Sequence, residues 1–442
     1  MLNVVNRSLW ESLEKSAAHP FNSHFIANRE VITIHKNNLK IRLDDENTRN
    51  KAMSFFVAVV LWFNFLTNIS TGISELTGLP VRGITLTIRW ISLITFFCII
   101  PVVLTRLKTR VVVFTAICVF VFLFNYLAFP DLNEYLSKEG FLFFSLGFTT
   151  FVALFSIDDY KYVLRFLTVS SHIITAVVLL LVLLATIGRI STFIATDDSV
   201  PYSMGFGYAC LIPAMLLFYD FFKTRRVINI IEIGVLLFAI IIYASRGPLM
   251  GFALFAVFYL VRYFLNKRQY IRCILIVVSI ILFVLFYKTI FIWFFGLFED
   301  SFISTSHLKH TLESDDFVYL SSRNSIYDIL IQDILEHPFY IRGINAEWPV
   351  VGVYAHNIIL ELIYQFGIVF GGGFVCLIIY RVVRTVMLKG ETDLEILCIV
   401  LMFACIPQLM VSNSLWRNYV FWAWMAAIAK YLQEYRLQKK RA

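Results

Sequence analysis

Apolar blocks of about 20 residues recur along the chain between short polar stretches, each long enough to cross a bilayer as a helix. About twelve such spans are predicted, at 53–70, 84–105, 111–129, 140–157, 166–188, 204–222, 227–245, 248–265, 273–296, 357–380, 394–412 and 418–433. Each must be helical, because lipid offers no partner for a backbone N–H or C=O. The pattern therefore reads as an all-α polytopic membrane protein with no soluble domain. It divides into a tail (1–52), nine spans (53–296), a long loop (297–355), three spans (357–433) and a basic tail (434–442). Within the loop, SSRNSIYDILIQDILEHPF carries Ile326, Ile329, Leu330, Ile334 and Leu335 at helical spacing. That spacing predicts an amphipathic helix on the membrane surface, capped by Ser322 and ended by His337-Pro338.

Composition sharpens this picture. At 59% hydrophobic and 15% charged over 442 residues, the chain is excluded from the water-soluble proteins. The polar first 50 residues contain no apolar signal core, so the first span is expected to direct insertion. Seven cysteines (Cys98, Cys118, Cys210, Cys273, Cys376, Cys398 and Cys405) all fall in apolar blocks, which predicts neither a disulfide framework nor a thiolate metal site.

A net charge of +8 would suit nucleic acid if it were clustered, but the basic residues are dispersed over short loops and report topology instead. With both termini cytoplasmic, the inner loops collect RLKTR (106–110), KTRR (223–226), NKRQYIR (266–272) and RVVRTVMLK (381–389). Counted with the N-terminal tail, DDYKYVLR (158–165), the C-terminal tail and the inner helix ends, 28 of the 38 lysines and arginines lie inside; the other ten are Arg82, Arg89, Lys138, Arg189, Arg246, Lys288, Lys309, Arg323, Arg342 and Arg417. The loop 297–355 then faces outward, where ATP and nucleotide sugars are absent. Chemistry on that face needs a substrate that carries its own activation.

Several polar residues collect at this outer face. SRG at 245–247 ends the seventh span; Arg246 reads either as a snorkelling arginine in a tight turn or as an anion site, with Gly247 allowing close backbone approach. Arg323 opens the surface helix, as a solvated charge or as part of an anion site at a helix N-terminus, and Arg342 in the same loop is a second candidate. His356 stands just outside the tenth span, followed by Asn357, Glu361 and Tyr364 along one helix face. Glu361 must face the bundle interior or a watery cavity, and a neutral imidazole at position 356 is suited to take up a proton near pH 7. His307 and His310 with Glu313, Asp315 and Asp316 form only a weak metal-ligand pattern, so a solvated loop is expected and no metal is assigned. The GGG run after Phe370 is expected to permit close helix packing.

The order of these elements is informative: SRG at an outer helix end, SRNSIY in the long loop, a P-x-x-x-x-G turn, then AHN at a helix start. It resembles the bacterial O-antigen polymerase and O-antigen ligase superfamily, most closely over 245–375. The resemblance implies a GT-C-like glycosyltransferase of the bacterial cytoplasmic membrane, acting at its outer face on undecaprenyl-pyrophosphate-linked oligosaccharides as donor and acceptor. It implies Arg246 and Arg323 as pyrophosphate ligands, His356 as catalytic base with Asn357 beside it, and an inverting displacement without cofactor. Glu361, Arg342, Gly247 and Tyr364 are candidates for the substrate pocket. A chain-length regulator protein and the lipid bilayer are the further partners implied, and nucleic acid is not. The stretch AHNIILELIYQFG looks more like the polymerase branch, for O-antigen or capsule, than the ligase branch; a transporter of the same lipid-linked sugars is the non-enzymatic alternative. Where the superfamily often has G-x-G, this chain has Gly343-Ile344-Asn345, which puts the geometry of that turn in question.

Overall fold

The computed structural model describes residues 46–78, 80–105, 109–186, 204–243, 246–296 and 323–441. Among them every regular element is helical. The helices are α1 (Glu46–Leu61), α2 (Phe63–Thr77), α3 (Val81–Thr105), α4 (Thr109–Ala128), α5 (Asn133–Leu142), α6 (Thr149–Ser156), α7 (Lys161–Thr186) and α8 (Met204–Thr224). They continue as α9 (Val227–Tyr243), α10 (Arg246–Asn266), α11 (Tyr270–Gly296), α12 (Arg323–Glu336), α13 (Trp348–Val351), α14 (Ile358–Val386), α15 (Asp393–Val411) and α16 (Tyr419–Arg441). Eight helical stretches among the described residues are long and apolar enough to cross a membrane, or nine if the pair α1–α2, bent by 47°, counts as one span. The protein is thus an all-α polytopic membrane protein. Helices also occupy three further positions expected from the sequence, as α9, α11 and α16. Of these, α9 is short at 17 residues, and α16 carries a charged C-terminal half.

Hydrophobicity is spread along the whole chain, but burial is not. The stretch 130–156, α8 and α15 lie mostly inside the bundle, whereas α3, α4 and α10 keep most of their side chains on its surface. In water those surface residues, among them Trp90, Phe97, Phe120 and Leu127, would be a liability; against lipid they cost nothing. Small hydroxyl residues inside the bundle satisfy themselves locally. Thr149, Thr150, Ser156, Ser171 and Thr175 each donate to the carbonyl one turn back, so they can pack between helices without an orphaned proton. Between α5 and α6 the chain makes a π-helical turn, Phe143–Phe148, whose Gly147 lies directly beneath the Trp422 indole of α16. All seven cysteine thiols are free.

The long loop resolves, from residue 323 onward, into α12 and a compact return. In α12 the residues that pack on the protein are Ile326, Leu330 and Ile334, at i, i+4 and i+8; they meet Leu132, Ala346, Val351, Ala355, Leu360 and Tyr364. Ile329 and Leu335, expected on the same apolar face, point outward instead. The helix is therefore docked by one stripe, with a second, exposed apolar edge. Its expected cap, Ser322, lies outside the described residues, as do His307, His310, Glu313, Asp315 and Asp316.

A polar pocket at the start of helix α14

The span expected at 357–380 is not one straight helix. Gly367 adopts φ 70° and ψ 171°, which breaks α14 two turns after its start. The fold at this break is so sharp that a Cβ on Gly371 would overlap the carbonyl of Leu362. Backbone groups freed by the break find partners in the preceding loop: Ile368 donates to Pro338 O at 2.8 Å, while Arg342 and Gly343 donate to Gln365 O at 3.0 Å each. Gly372 and Gly373 face open space, so the glycine run serves this bend at Gly371 rather than general helix packing.

Asn357 caps the first half of α14. Its side-chain oxygen accepts from the N–H groups of Ile359 and Leu360, at 3.0 and 3.2 Å. Its role is to start the helix. His356, immediately before it, is held at φ 55°, a left-handed conformation that is uncommon without glycine and costs on the order of 1 kcal/mol or more. The imidazole lies against the Tyr354 ring, with centroids 4.2 Å apart and planes tilted by 48°, and its buried Nδ1 has no hydrogen-bond partner. Burial first, and the Arg323 charge second, push its pKa down to about 4, so the ring is neutral at pH 7. The histidine is thus strained, half-buried and neutral, with one ring nitrogen unsatisfied.

Glu361, the third residue of the motif, is wholly buried and points at the connection between α15 and α16. Ser414 Oγ donates to it at 2.7 Å, and the Leu415 N–H donates to both carboxylate oxygens, at 3.3 and 3.2 Å. Alongside runs a second chain of contacts. Trp416 Nε1 donates to Gln365 Oε1 (2.9 Å), and Gln365 Nε2 donates to both oxygens of buried Glu347, at 3.1 and 3.0 Å. Arg417 pairs with buried Glu139, Nε to Oε1 at 2.6 Å, and lies over the rings of Trp348 and Tyr354. Glu139, Glu347 and Glu361 thus surround the short connection 412–418. Burial, followed by the neighbouring Glu139, raises the Glu347 pKa above the usual carboxylate range.

The same connection links the histidine to the start of α10, where Arg246 and Gly247 stand. Tyr354 Oη donates to Ser412 O at 2.9 Å, and Ser412 Oγ donates to Tyr208 Oη at 2.9 Å. Tyr208 in turn lies against Gly247, so closely that any side chain there would overlap its hydroxyl. Gly247 is required by this approach of a tyrosine, where the sequence suggested the approach of a ligand. Residues 109 positions apart in the sequence, Gly247 and His356, are connected through Tyr208, Ser412 and Tyr354. Arg246 begins α10 beside that glycine.

Arg323 and Arg342, left open as alternatives by spacing, differ sharply in surroundings. Arg342 is engaged: Nε and Nη2 hold the Asp333 carboxylate at 2.9 and 2.8 Å, and the guanidinium lies 4.7 Å from the centroid of Tyr364. That pairing holds the Asp333 carboxyl below its ordinary pKa, and it pins the return loop to α12. Tyr364 is buried beneath this pair. Arg323, at the first turn of α12, is half-buried and close enough to His356 for its charge to act on the ring. The Gly343-Ile344-Asn345 turn retains the shape that two glycines would give, because Asn345 takes φ 63° beside Gly343 at φ 95°. Asn125 of α4 fixes the turn by accepting from Ile344 N–H at 2.7 Å, and Gly343 has Phe129 and Asn125 where a Cβ would go. The amide of Asn345 is buried with neither its oxygen nor its nitrogen bonded.

The sequence did not single out Glu139, Glu347, Tyr354, Ser412 and Arg417, and Gln365 stood out only within AHNIILELIYQFG, the stretch likened to the polymerase branch. Only Arg417 carried a signal, as a basic residue on the unexpected side of the charge pattern; the others are ordinary until the bundle assembles them. Among the described residues no group of three or more His, Cys, Asp or Glu is placed to hold a metal. The fold is that of a multi-pass α-helical membrane protein with a polar, acid-rich cluster of side chains where α14, the loop before it and the 412–418 connection meet. No family model, curated protein or solved structure matches the chain.

Proposed function

We propose that the chain is an inverting glycosyltransferase that polymerises undecaprenyl-pyrophosphate-linked repeat units at the outer face of the bacterial cytoplasmic membrane. It crosses that membrane about twelve times, with both termini inside, as the dispersal of its basic residues suggests. The observation that carries this reading is His356: a neutral imidazole in a strained backbone, within electrostatic reach of Arg323 and linked through Tyr354, Ser412 and Tyr208 to the turn bearing Arg246.

In this mechanism the donor's pyrophosphate lies between Arg246 and Arg323. The acceptor hydroxyl attacks the anomeric carbon, its proton passes to His356, and the C1–O bond to pyrophosphate breaks with inversion. The arginines hold the charge that grows on the departing pyrophosphate. Docking an anion on Arg323 also offsets the positive charge that depresses the histidine, so the base strengthens when the donor is bound. Arg342, paired with Asp333, contributes to the shape of the pocket and not to anion binding.

The test is His356→Ala in purified protein supplied with lipid-linked repeat units. Loss of the product ladder, with unchanged thermal unfolding, supports the assignment; near-normal chain lengths overturn it. Transfer of finished chains to another acceptor, without elongation, would place the chain with the ligases.

A further inference from the structure

Beside the polar cluster, and sharing Asn125 and Trp416 with it, a groove of about 680 Å³ runs between α4, α14 and α16. Its walls are apolar and largely aromatic, and Phe370, Phe374, Leu377 and Arg381 follow one another along one face of α14. From Phe370 to Arg381 this stripe rises about 16 Å at 1.5 Å per residue. One leaflet of a bilayer is about 15 Å deep in hydrocarbon. The groove is therefore one acyl chain deep, and its only charged lining residue lies at the end remote from His356.

That residue is not neutralised. Arg381 is largely buried, and its Nε and Nη1 are shielded with no hydrogen-bond partner. The guanidinium groups close enough to act on its charge are Arg110, at the start of α4, and Arg436, on α16; both repel it. Burying an unpaired guanidinium beside two more cations is costly unless an anion completes the site. Apolar walls of leaflet depth that end in a cluster of cations have the chemistry of a lipid with an anionic headgroup.

We infer that this groove is a binding site for an anionic glycerophospholipid, whose acyl chain lies along Phe370, Phe374 and Leu377 and whose phosphate is held by Arg381 with Arg110 and Arg436. The inference uses only the membrane-spanning character of the chain and is independent of the glycan chemistry proposed above.

Full-length protein is titrated with phosphatidylglycerol or phosphatidylcholine of identical acyl chains, and bound lipid is counted by native mass spectrometry. The expected result is a preference of about tenfold or more for phosphatidylglycerol, largely lost in Arg381→Ala, as for a buried charge pair that loses one partner. Leu377→Trp, which fills the groove and leaves the cations in place, should lower occupancy by both lipids; it serves as the second variant if Arg381→Ala does not fold. Equal retention of the two lipids by the wild-type protein overturns the inference. So does a preference unchanged in both variants, or displacement of the lipid by inorganic phosphate or polyprenyl phosphate at equal concentration.

Discussion

Gly247 offers the sharpest test of how the start of α10 is joined to the polar cluster. A methyl group at this position would overlap the Tyr208 hydroxyl, lie 3.1 Å from its Cζ and sit 3.4 Å from Val411 Cγ2. Tyr208 is buried, and its hydroxyl accepts a hydrogen bond from Ser412 Oγ, so it cannot swing aside without breaking that bond. Gly247→Ala should therefore cost about 2–3 kcal/mol, the upper range for overpacking a filled site. Tyr208→Phe alone should cost about 1 kcal/mol, the net value of one hydrogen bond. Combined, the two changes should cost less than their sum by at least about 1 kcal/mol, because removing the hydroxyl relieves the main overlap. Equilibrium unfolding in mixed micelles measures all four corners of the cycle, with the buried thiols of Cys210 and Cys405 reporting through a thiol-reactive dye. Strict additivity would refute the reasoning, since it would mean that Gly247 and Tyr208 do not touch in the folded protein. The elongation rate of Gly247→Ala should fall as well, because the Ser412 carbonyl also accepts from the Tyr354 hydroxyl, which sets the ring lying against His356.

The remaining predictions address the pocket itself. A histidine neutral down to about pH 4 keeps its capacity to accept a proton throughout the neutral range, so kcat/KM should stay level from pH 7 to about 5 and fall about tenfold per unit below about 4; an acid limb near the ordinary imidazole value of about 6.5 would contradict the burial described. Arg323→Ala should weaken donor binding and slow turnover with little change in unfolding, whereas Arg342→Ala should destabilise the protein by about 2 kcal/mol through loss of the Asp333 pair. Measuring unfolding and donor KM on both variants separates the two roles. Glu347 has a folded pKa above its unfolded one, so it favours folding least once pH exceeds the folded value. Stability should decline as pH rises from about 4.5, and Glu347→Gln should flatten that decline, as pH-dependent melting curves would show. Glu361→Ala strands the Ser414 hydroxyl and the Leu415 N–H and should cost about 2–4 kcal/mol, with Glu361→Gln recovering about half.

The class of protein was written in the sequence, because the bilayer is a uniform solvent with a fixed thickness. Blocks of about 20 apolar residues have one solution there, and it needs no knowledge of neighbours. The same local logic found α12, the start of α14 at Asn357, and the residues Arg323 and His356 as chemically unusual. It could not tell Arg323 from Arg342, since spacing contains nothing about Asp333 folding back onto one of them. Nor could it see that Glu361 and Tyr364, side by side on a helical wheel, serve different neighbours: Ser414 for one and the Arg342–Asp333 pair for the other. The break at Gly367 was hidden for a related reason. A glycine in an apolar run costs a membrane helix little, and only the loop carbonyls and amides waiting at Pro338, Arg342 and Gly343 make the bend worthwhile. Periodicity fixes what each segment must do against lipid; which buried polar group meets which partner is decided by contacts between different elements, from 9 positions apart for Arg342 and Asp333 to 278 for Arg417 and Glu139, and those exist only once the bundle has formed.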